Sequence, residues 1–303
     1  MNIRNTLNVS SHRLILALFC LVWALSFSTV KASQFSALGV SPTRIVIGAQ
    51  QKSDSITITN NSKTEVTYRM KLLEMGRDSQ GRFRRLSNNE LPTSHQSAVK
   101  LIKFSPRQVQ LKPGQSQVIR VIARRPRNLA PGEYRSHLQI AALPIISDQS
   151  LADLIDRDRQ AVLVQAKSGT NVGISMPVIL RHGQTNANVR LKTVHLNADK
   201  KGKIVNATVD LGLDGNQSTY GHIKLQLEYN GKWQDIGQIR GFALYHPYPG
   251  DRVRVPVNSP ISARQLTSDS KVRVVFENPA ATSDSESVWL DGTVVPQIRT
   301  IRQ

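Results

Sequence analysis

Cysteine is almost missing. The single one, Cys20, sits inside the first apolar run, so a chain cut after Ala32 carries no thiol. That excludes disulfides, a thiolate nucleophile and cysteine metal sites, and leaves a core of ~270 residues to stand alone, which is ample. Aromatic residues make up only 5% of the sequence, too few for a base-stacking surface. This matters because charge alone suggests a nucleic-acid binder: 40 Lys and Arg stand against 21 Asp and Glu. An excess of 16 remains once Arg4, Arg13 and Lys31 are removed. The basic residues are scattered, with knots only at 82–85, 124–127 and 200–203. Attraction to anionic partners outside the cytoplasm is the better inference, with no nucleic acid.

Catalytic signatures are missing too. There is no His-Glu-x-x-His, no Gly-x-Ser-x-Gly and no phosphate-cradling glycine loop. The histidines after residue 32 (His95, His137, His182, His195, His222 and His246) lack metal-ligand spacing. Asp210, Asp214, Asn216 and Asp251 fall in turn-rich segments, where turn chemistry explains them without calcium. His182, beside Arg181 at a domain junction, titrates near neutral pH when unperturbed but reads as an ordinary surface histidine. The expectation is a protein that is not an enzyme, with no cofactor and no metal.

What is present begins with a targeting segment. Arg4 and Arg13 supply a positive start, Leu14 to Phe27 is nearly all apolar, and Val30-Lys31-Ala32 places small residues around a cut. The apolar run is short for a span, and no later run approaches ~18 apolar residues, so no stable membrane insertion follows cleavage. Beyond it, alternating segments recur at short spacing, and none has helical period for more than two turns. Pro113-Gly114 suits the centre of a type II turn, and Asn230-Gly231 is the strongest hairpin signal. The expected fold is all-β: two immunoglobulin-like sandwiches at an angle, at 33–183 and 184–303 after the segment 1–32. Residues 145–165 read as a long exposed loop.

The most informative stretch is Gly169 to Gly183. Val172, Ile174, Met176, Val178 and Leu180 alternate along it, and Pro177 interrupts their polar partners. Proline lacks an N–H and is confined to edges, bulges and strand starts. If Pro177 faces an unfilled edge, the odd-numbered residues face it too and the even-numbered ones bond the neighbouring strand. This predicts an edge strand with apolar side chains and unpaired backbone groups, a hazard unless another chain is meant to occupy it.

Four pieces in order carry a family resemblance: Val40-Ser41-Pro42-Thr43-Arg44-Ile45-Val46-Ile47; Leu111-Lys112-Pro113-Gly114 followed by Val118-Ile119-Arg120-Val121; Pro131-Gly132-Glu133-Tyr134 through Pro144; and Val178-Ile179-Leu180-Arg181. They resemble the first strand, the turn and following strand, the sixth strand and the end of the seventh strand of the periplasmic pilus-assembly chaperones, the PapD-like family. The resemblance spans about half the chain and implies a periplasmic chaperone. It would complete pilus or fimbrial subunits by donor-strand complementation and deliver them to an outer-membrane usher, with a role in cell wall organization. It places Val172, Ile174, Met176 and Val178 on the subunit-binding strand, with Val162 and Val164 added if the strand starts earlier. It makes Arg44 the anchor of the subunit's terminal carboxylate. The family's second cation, a lysine, falls at Pro177, a departure for which Lys167 and Arg181 are the candidate substitutes. Glu133 and Arg181 align with residues that lock the two domains, with Asp269 as a third candidate.

Two other readings use the same residues. A secreted structural or adhesin protein of two sandwiches would self-associate through the edge strand. A carbohydrate-binding sandwich would use Trp233, Tyr245 and Tyr248, which hairpin packing explains more simply.

Overall fold

The computed structural model describes residues 38–78, 82–143, 173–229, 231–267, 269–278 and 288–301. The segment 1–32, the loop 145–165, and Val162, Val164, Lys167 and Val172 lie outside them. Among the described residues the regular structure is strand apart from single 3-10 turns. No helix there is long and apolar enough to cross a membrane.

The strands form two sandwiches. In the first, one sheet runs β1 (Leu38–Ser41), β3 (Ser53–Asn60), β9 (Ser116–Ala123), β7 (Ile102–Ser105). The facing sheet runs β2 (Ile45–Ile47), β11 (Gly173–His182), β10 (Gly132–Ala142), β4 (Val66–Leu73), β8 (Gln108–Leu111). A ribbon of β5 (Met75–Arg77) and β6 (Phe83–Arg85) projects beside them. The opening strand of the sequence pattern is therefore two strands in different sheets, changing over at Pro42, where proline cannot donate to a ladder. Period-2 alternation turns Ile45, Ile47, Ile56, Ile58, Ile119, Val121, Leu138 and Ile140 into one core. At the start of β10, Tyr134 Oη donates to the Ala130 carbonyl at 2.9 Å, the tyrosine corner of immunoglobulin-like sandwiches.

The second sandwich pairs two four-stranded sheets. One is β16 (Gly250–Pro256), β13 (Ile204–Gly215), β12 (Ala187–Ala198), β19 (Gln297–Thr300). The other is β15 (Lys232–Leu244), β14 (Thr219–Tyr229), β17 (Val272–Glu277), β18 (Val288–Val294). Its core is separate and is built on Val209, Leu211, Ile223, Leu225, Val255 and Phe276. Turn chemistry falls where the sequence puts it. Gln115 N–H donates to the Lys112 carbonyl around Pro113-Gly114, with Gly114 at φ 74°, the conformation a type II turn reserves for glycine.

Candidate functional site

Strand β11 is bonded to β10 along its length, from Gly132 opposite His182 to Ala141 opposite Gly173. On its other side β2 runs parallel and covers only Val178, Ile179 and Leu180. The backbone of β10 shows which residues face which neighbour. Arg135 N–H donates to the Gln96 carbonyl at 2.9 Å and Leu143 N–H to the Thr67 carbonyl at 2.8 Å, both away from β11. Odd-numbered residues of β10 thus turn away from β11 and even-numbered ones towards it. The register pairs even with even: Ser136 with Val178, Leu138 with Met176, Ile140 with Ile174. So Gly173, Ser175, Pro177 and Ile179 direct their backbone groups to the outer edge, where β2 takes up Ile179. Among the described residues no strand pairs with Gly173, Ser175 or Pro177 on that side. Pro177 sits where its missing N–H costs no bond to β10.

Two expectations need correction. The edge is not open throughout, because residues 178–180 lie between two strands of their own sandwich. Nor is the even-numbered face offered outward: Met176 is 1% exposed and Val178 0%, packed with Ile45, Ile47 and Leu138. The physical reason is that β10 and β11 turn the same parity towards the facing sheet, so those side chains complete their own core. Ile174 is only half-buried. The free feature within the described strand is backbone, not a greasy face.

The second sandwich covers the odd-numbered face of β10 and β11 at Glu133, Arg135 and Arg181. Glu133, opposite Arg181 in register, is 3% exposed. Its carboxylate accepts from Arg181 Nε at 3.3 Å, from Ser218 N–H at 2.9 Å and from the Ser218 hydroxyl. Arg181 also donates through Nη2 to the Ser218 carbonyl at 2.9 Å. All three polar groups of Ser218, between β13 and β14, are therefore held by one acid–base pair. Asp269 is not part of it. It lies in the turn before β17, and β14 and β17 pair from His222 opposite Glu277 to Leu227 opposite Val272. Nine residues, ~30 Å at ~3.3 Å per residue, separate Ser218 from Leu227, and Asp269 lies beyond that far end of the sheet. A second bridge between the sandwiches was not legible in sequence: Arg77 N–H donates to Tyr248 Oη at 2.7 Å, and the Arg77 guanidinium pairs with Asp251. The other calcium candidates are engaged as well. Asp210 accepts from Arg252 and Thr193, and Asp214 from Arg190.

Arg44 enters the same cleft. Register places it one step before Ile45, beside Pro177, and its guanidinium carbon lies 3.9 Å from the ring centroid of Tyr220 and 5.7 Å from that of Tyr245. Burial pushes this guanidinium below its ordinary value, opposed by the nearby tyrosines and Glu133. Arg181, committed to Glu133 and Ser218, is not free to act as its partner cation.

Sequence reasoning passed over Arg135 and His137, which follow Glu133 on the same face. Arg135 is 1% exposed and lies 4.4 Å from the Tyr245 centroid. Its Nη1 and Nη2 donate long bonds to the Met75 and His246 carbonyls at 3.4 and 3.3 Å. His137 packs edge-on to Phe83 and Tyr245, and burial first, then the Arg135 charge, push its imidazole down to about 3. Behind them Glu74 accepts from Ser97 Oγ at 2.5 Å, Ser136 Oγ at 2.8 Å and His95 Nε2 at 3.1 Å. Burial alone would raise its carboxyl, but these donors outweigh that and hold it below the usual carboxylate range.

No family model matches the chain, and no curated relative matches it. Solved structures to which it is similar include fimbrial chaperones. The CupB2 chaperone of Pseudomonas aeruginosa is 12% identical over 84% of this chain and 98% of its own, with a TM-score of 0.41. The CsuC–CsuE chaperone–tip subunit pre-assembly complex from the archaic chaperone-usher Csu pili of Acinetobacter baumannii is 12% identical over 88% and 99%, TM-score 0.41. A PapD-like domain of human CEP192 is 10% identical over 52% and 94%, TM-score 0.31. Likeness of that degree assigns no partner to this chain.

Proposed function

We propose that the chain is a periplasmic chaperone that binds a pilus or fimbrial subunit by strand addition and passes it to an outer-membrane usher, binding rather than catalysing. The observation that carries this reading is a juxtaposition. The uncovered backbone of Gly173–Pro177 lies beside Arg44, whose guanidinium faces the cleft between the sandwiches over Tyr220. An extended segment added along that edge would bond the N–H and C=O groups of Gly173 and Ser175 and the C=O of Pro177, and its terminal carboxylate would meet Arg44. Because Met176 and Val178 are committed to their own core, inserted apolar side chains would come from Ile174 and from Val172, Val164 and Val162 before it. Each large side chain so buried contributes ~1.5–3 kcal/mol, enough in sum to hold a folding subunit. The ordered motifs around Arg44, Pro113-Gly114, Glu133 and Arg181 support the same reading.

The test is co-expression with a small pilin-like subunit encoded beside the chaperone gene. The expected result is a one-to-one complex, lost in Arg44→Ala while the chaperone itself stays folded. Normal recovery from Arg44→Ala, or polymerisation of the chain alone, would defeat the assignment; the latter would favour a self-associating structural protein.

A further inference from the structure

In the sheet β16–β13–β12–β19 the inner face fixes the outer one. Val253 and Val255, Val209 and Leu211, and Leu196 and Ala198 point into the core of the second sandwich, so the residues between them point out. Register sets Arg252 beside Asp210, Arg254 beside Thr208 and Arg299 beside Asn197 on that outer side. Arg190 and Lys192 share it, since a Cβ on Gly212, opposite Arg190, would lie 2.9 Å from Lys192 Cε and 3.7 Å from Arg190 Cβ. The face therefore carries five cations against two carboxylates, Asp210 and Asp214, which Arg252 and Arg190 take up. Among the described residues Lys192, Arg254 and Arg299 are exposed and none of them forms an ion pair. At the Asn197 end, the turn into β13 adds Lys200, Lys201 and Lys203 against Asp199. The opposite sheet of the same sandwich is different, because Arg273 is answered by Asp291, Lys224 by Glu277 and Lys271 by Glu228. Unpaired positive charge is thus concentrated on one side. The edge of that side is apolar: Ile298 of β19 is 45% exposed and Val295 before it 58%.

We propose that this face rests on an anionic bilayer, with Lys192, Arg254 and Arg299 meeting lipid phosphates and Val295 and Ile298 entering the headgroup layer beside them. The sheet spreads its cations. Arg254 and Arg299 stand three strand intervals apart, ~14 Å across the sheet, and between them Asn197 donates to Asn206 and Thr208. A bilayer offers phosphates at every such position with an apolar layer beneath, so one partner answers both the dispersed charge and the exposed aliphatic edge. An acidic protein surface answers the charge alone. The inference does not rest on the chaperone reading, because the β11 edge belongs to the other sandwich.

The experiment is flotation of the chain cut after Ala32 with vesicles of equal parts phosphatidylglycerol and phosphatidylcholine, against vesicles of phosphatidylcholine alone. The chain is expected to float with the anionic vesicles only, and to be released as salt is raised. Near an anionic surface each cation contributes about fivefold in partitioning. Lys192→Gln, Arg254→Gln and Arg299→Gln combined should therefore weaken binding at least about thirtyfold. The same charge removed from exposed positions of the first sandwich, Lys63→Gln, Lys112→Gln and Arg127→Gln, should weaken it less than about threefold. Ile298→Ser alone should weaken it at least about threefold. All seven side chains are exposed, so the variants should keep the circular dichroism of the unaltered chain. No flotation with anionic vesicles overturns the proposal. Equal loss from the two triple variants overturns it too, since overall charge and not this face would then be responsible. Full binding by Ile298→Ser, or capture by immobilised polyglutamate without any flotation, overturns the bilayer as partner in favour of an acidic protein. Failure of the Arg44→Ala test leaves this proposal standing, and failure here leaves the chaperone reading standing.

Discussion

Replacing Ser175 by proline separates a bare edge from a covered one. Its N–H points to the outer side of β11, where no described strand pairs with it. Ser175→Pro therefore removes no bond to β10. Proline restricts the unfolded chain by ~0.4–1 kcal/mol and gives some of that back through its fixed φ, so the net change in stability stays within about 1 kcal/mol. The neighbouring substitution has the opposite parity. Met176 faces Leu138 in a bonded pair and is 1% exposed. Met176→Pro leaves the Leu138 carbonyl without its donor, costing ~1–3 kcal/mol. It also empties a core position, where Met→Ala changes cost ~2–5 kcal/mol. Urea unfolding of the two variants should differ by at least about 3 kcal/mol, although the residues are adjacent. The same Ser175→Pro chain should bind a subunit at least about fivefold more weakly, because a carbonyl of the added strand loses its donor. If Ser175→Pro is as damaging as Met176→Pro, the Ser175 N–H is bonded within its own chain, and strand addition at this edge is refuted.

Further substitutions test the junction and the cleft. Glu133→Ala removes the acceptor of Arg181 and of two Ser218 donors, and should cost ~3–5 kcal/mol in calorimetric unfolding, as for a buried pair broken on one side. Gly76→Ala would drive a Cβ into Tyr248 Oη and to 2.9 Å from Leu86 Cδ1, displacing Tyr248 from the Arg77 N–H. The expected loss is ~1–3 kcal/mol by urea unfolding, and Gly48→Ala, whose Cβ meets only Gln51 at 3.6 Å, serves as the control. His137 titrates near 6.5 when unfolded and at about 3 when folded. The unfolded chain thus binds the extra proton between those values, so stability is full above ~6.5 and falls by several kcal/mol as pH drops towards ~3. His137→Leu should flatten that limb of the urea-midpoint profile, whereas loss through protonation of Glu74 sets in only at lower pH and should persist in the variant.

The strands were legible because period 2 is a local property: Ile56 and Ile58, or Ile119 and Val121, announce a buried face without reference to anything distant. Pro113-Gly114 was legible for the same reason. Alternation does not say who covers the face. The pattern of Met176 and Val178 is the same whether the apolar row meets a partner or its own second sheet, and here it shares a core with Ile56 and Ile58 of the facing sheet, from a strand some 120 residues earlier. Parity of the backbone is a different matter. Pro177 tells which side of β11 lacks a donor, and that inference needs no knowledge of what covers the side chains.

The cleft was hidden by the converse effect. Glu133, Arg135 and His137 alternate with Tyr134, Ser136 and Leu138, the pattern of a strand with one wet face. The second sandwich lays Tyr245, His246 and Ser218 over that face and buries all three polar residues. Covering such a face is unfavourable wherever the buried groups go unanswered. Glu133 is fully answered by Ser218 and Arg181, so its burial follows from docking alone. Arg44 and Arg135 retain unpartnered Nε atoms beside the same tyrosine. A junction evolved only to hold two sandwiches together would favour apolar side chains at both positions, since a hydrophobic replacement of buried charge is often neutral or stabilising. The retention of two guanidiniums there is a cost that docking of the two sandwiches does not recover.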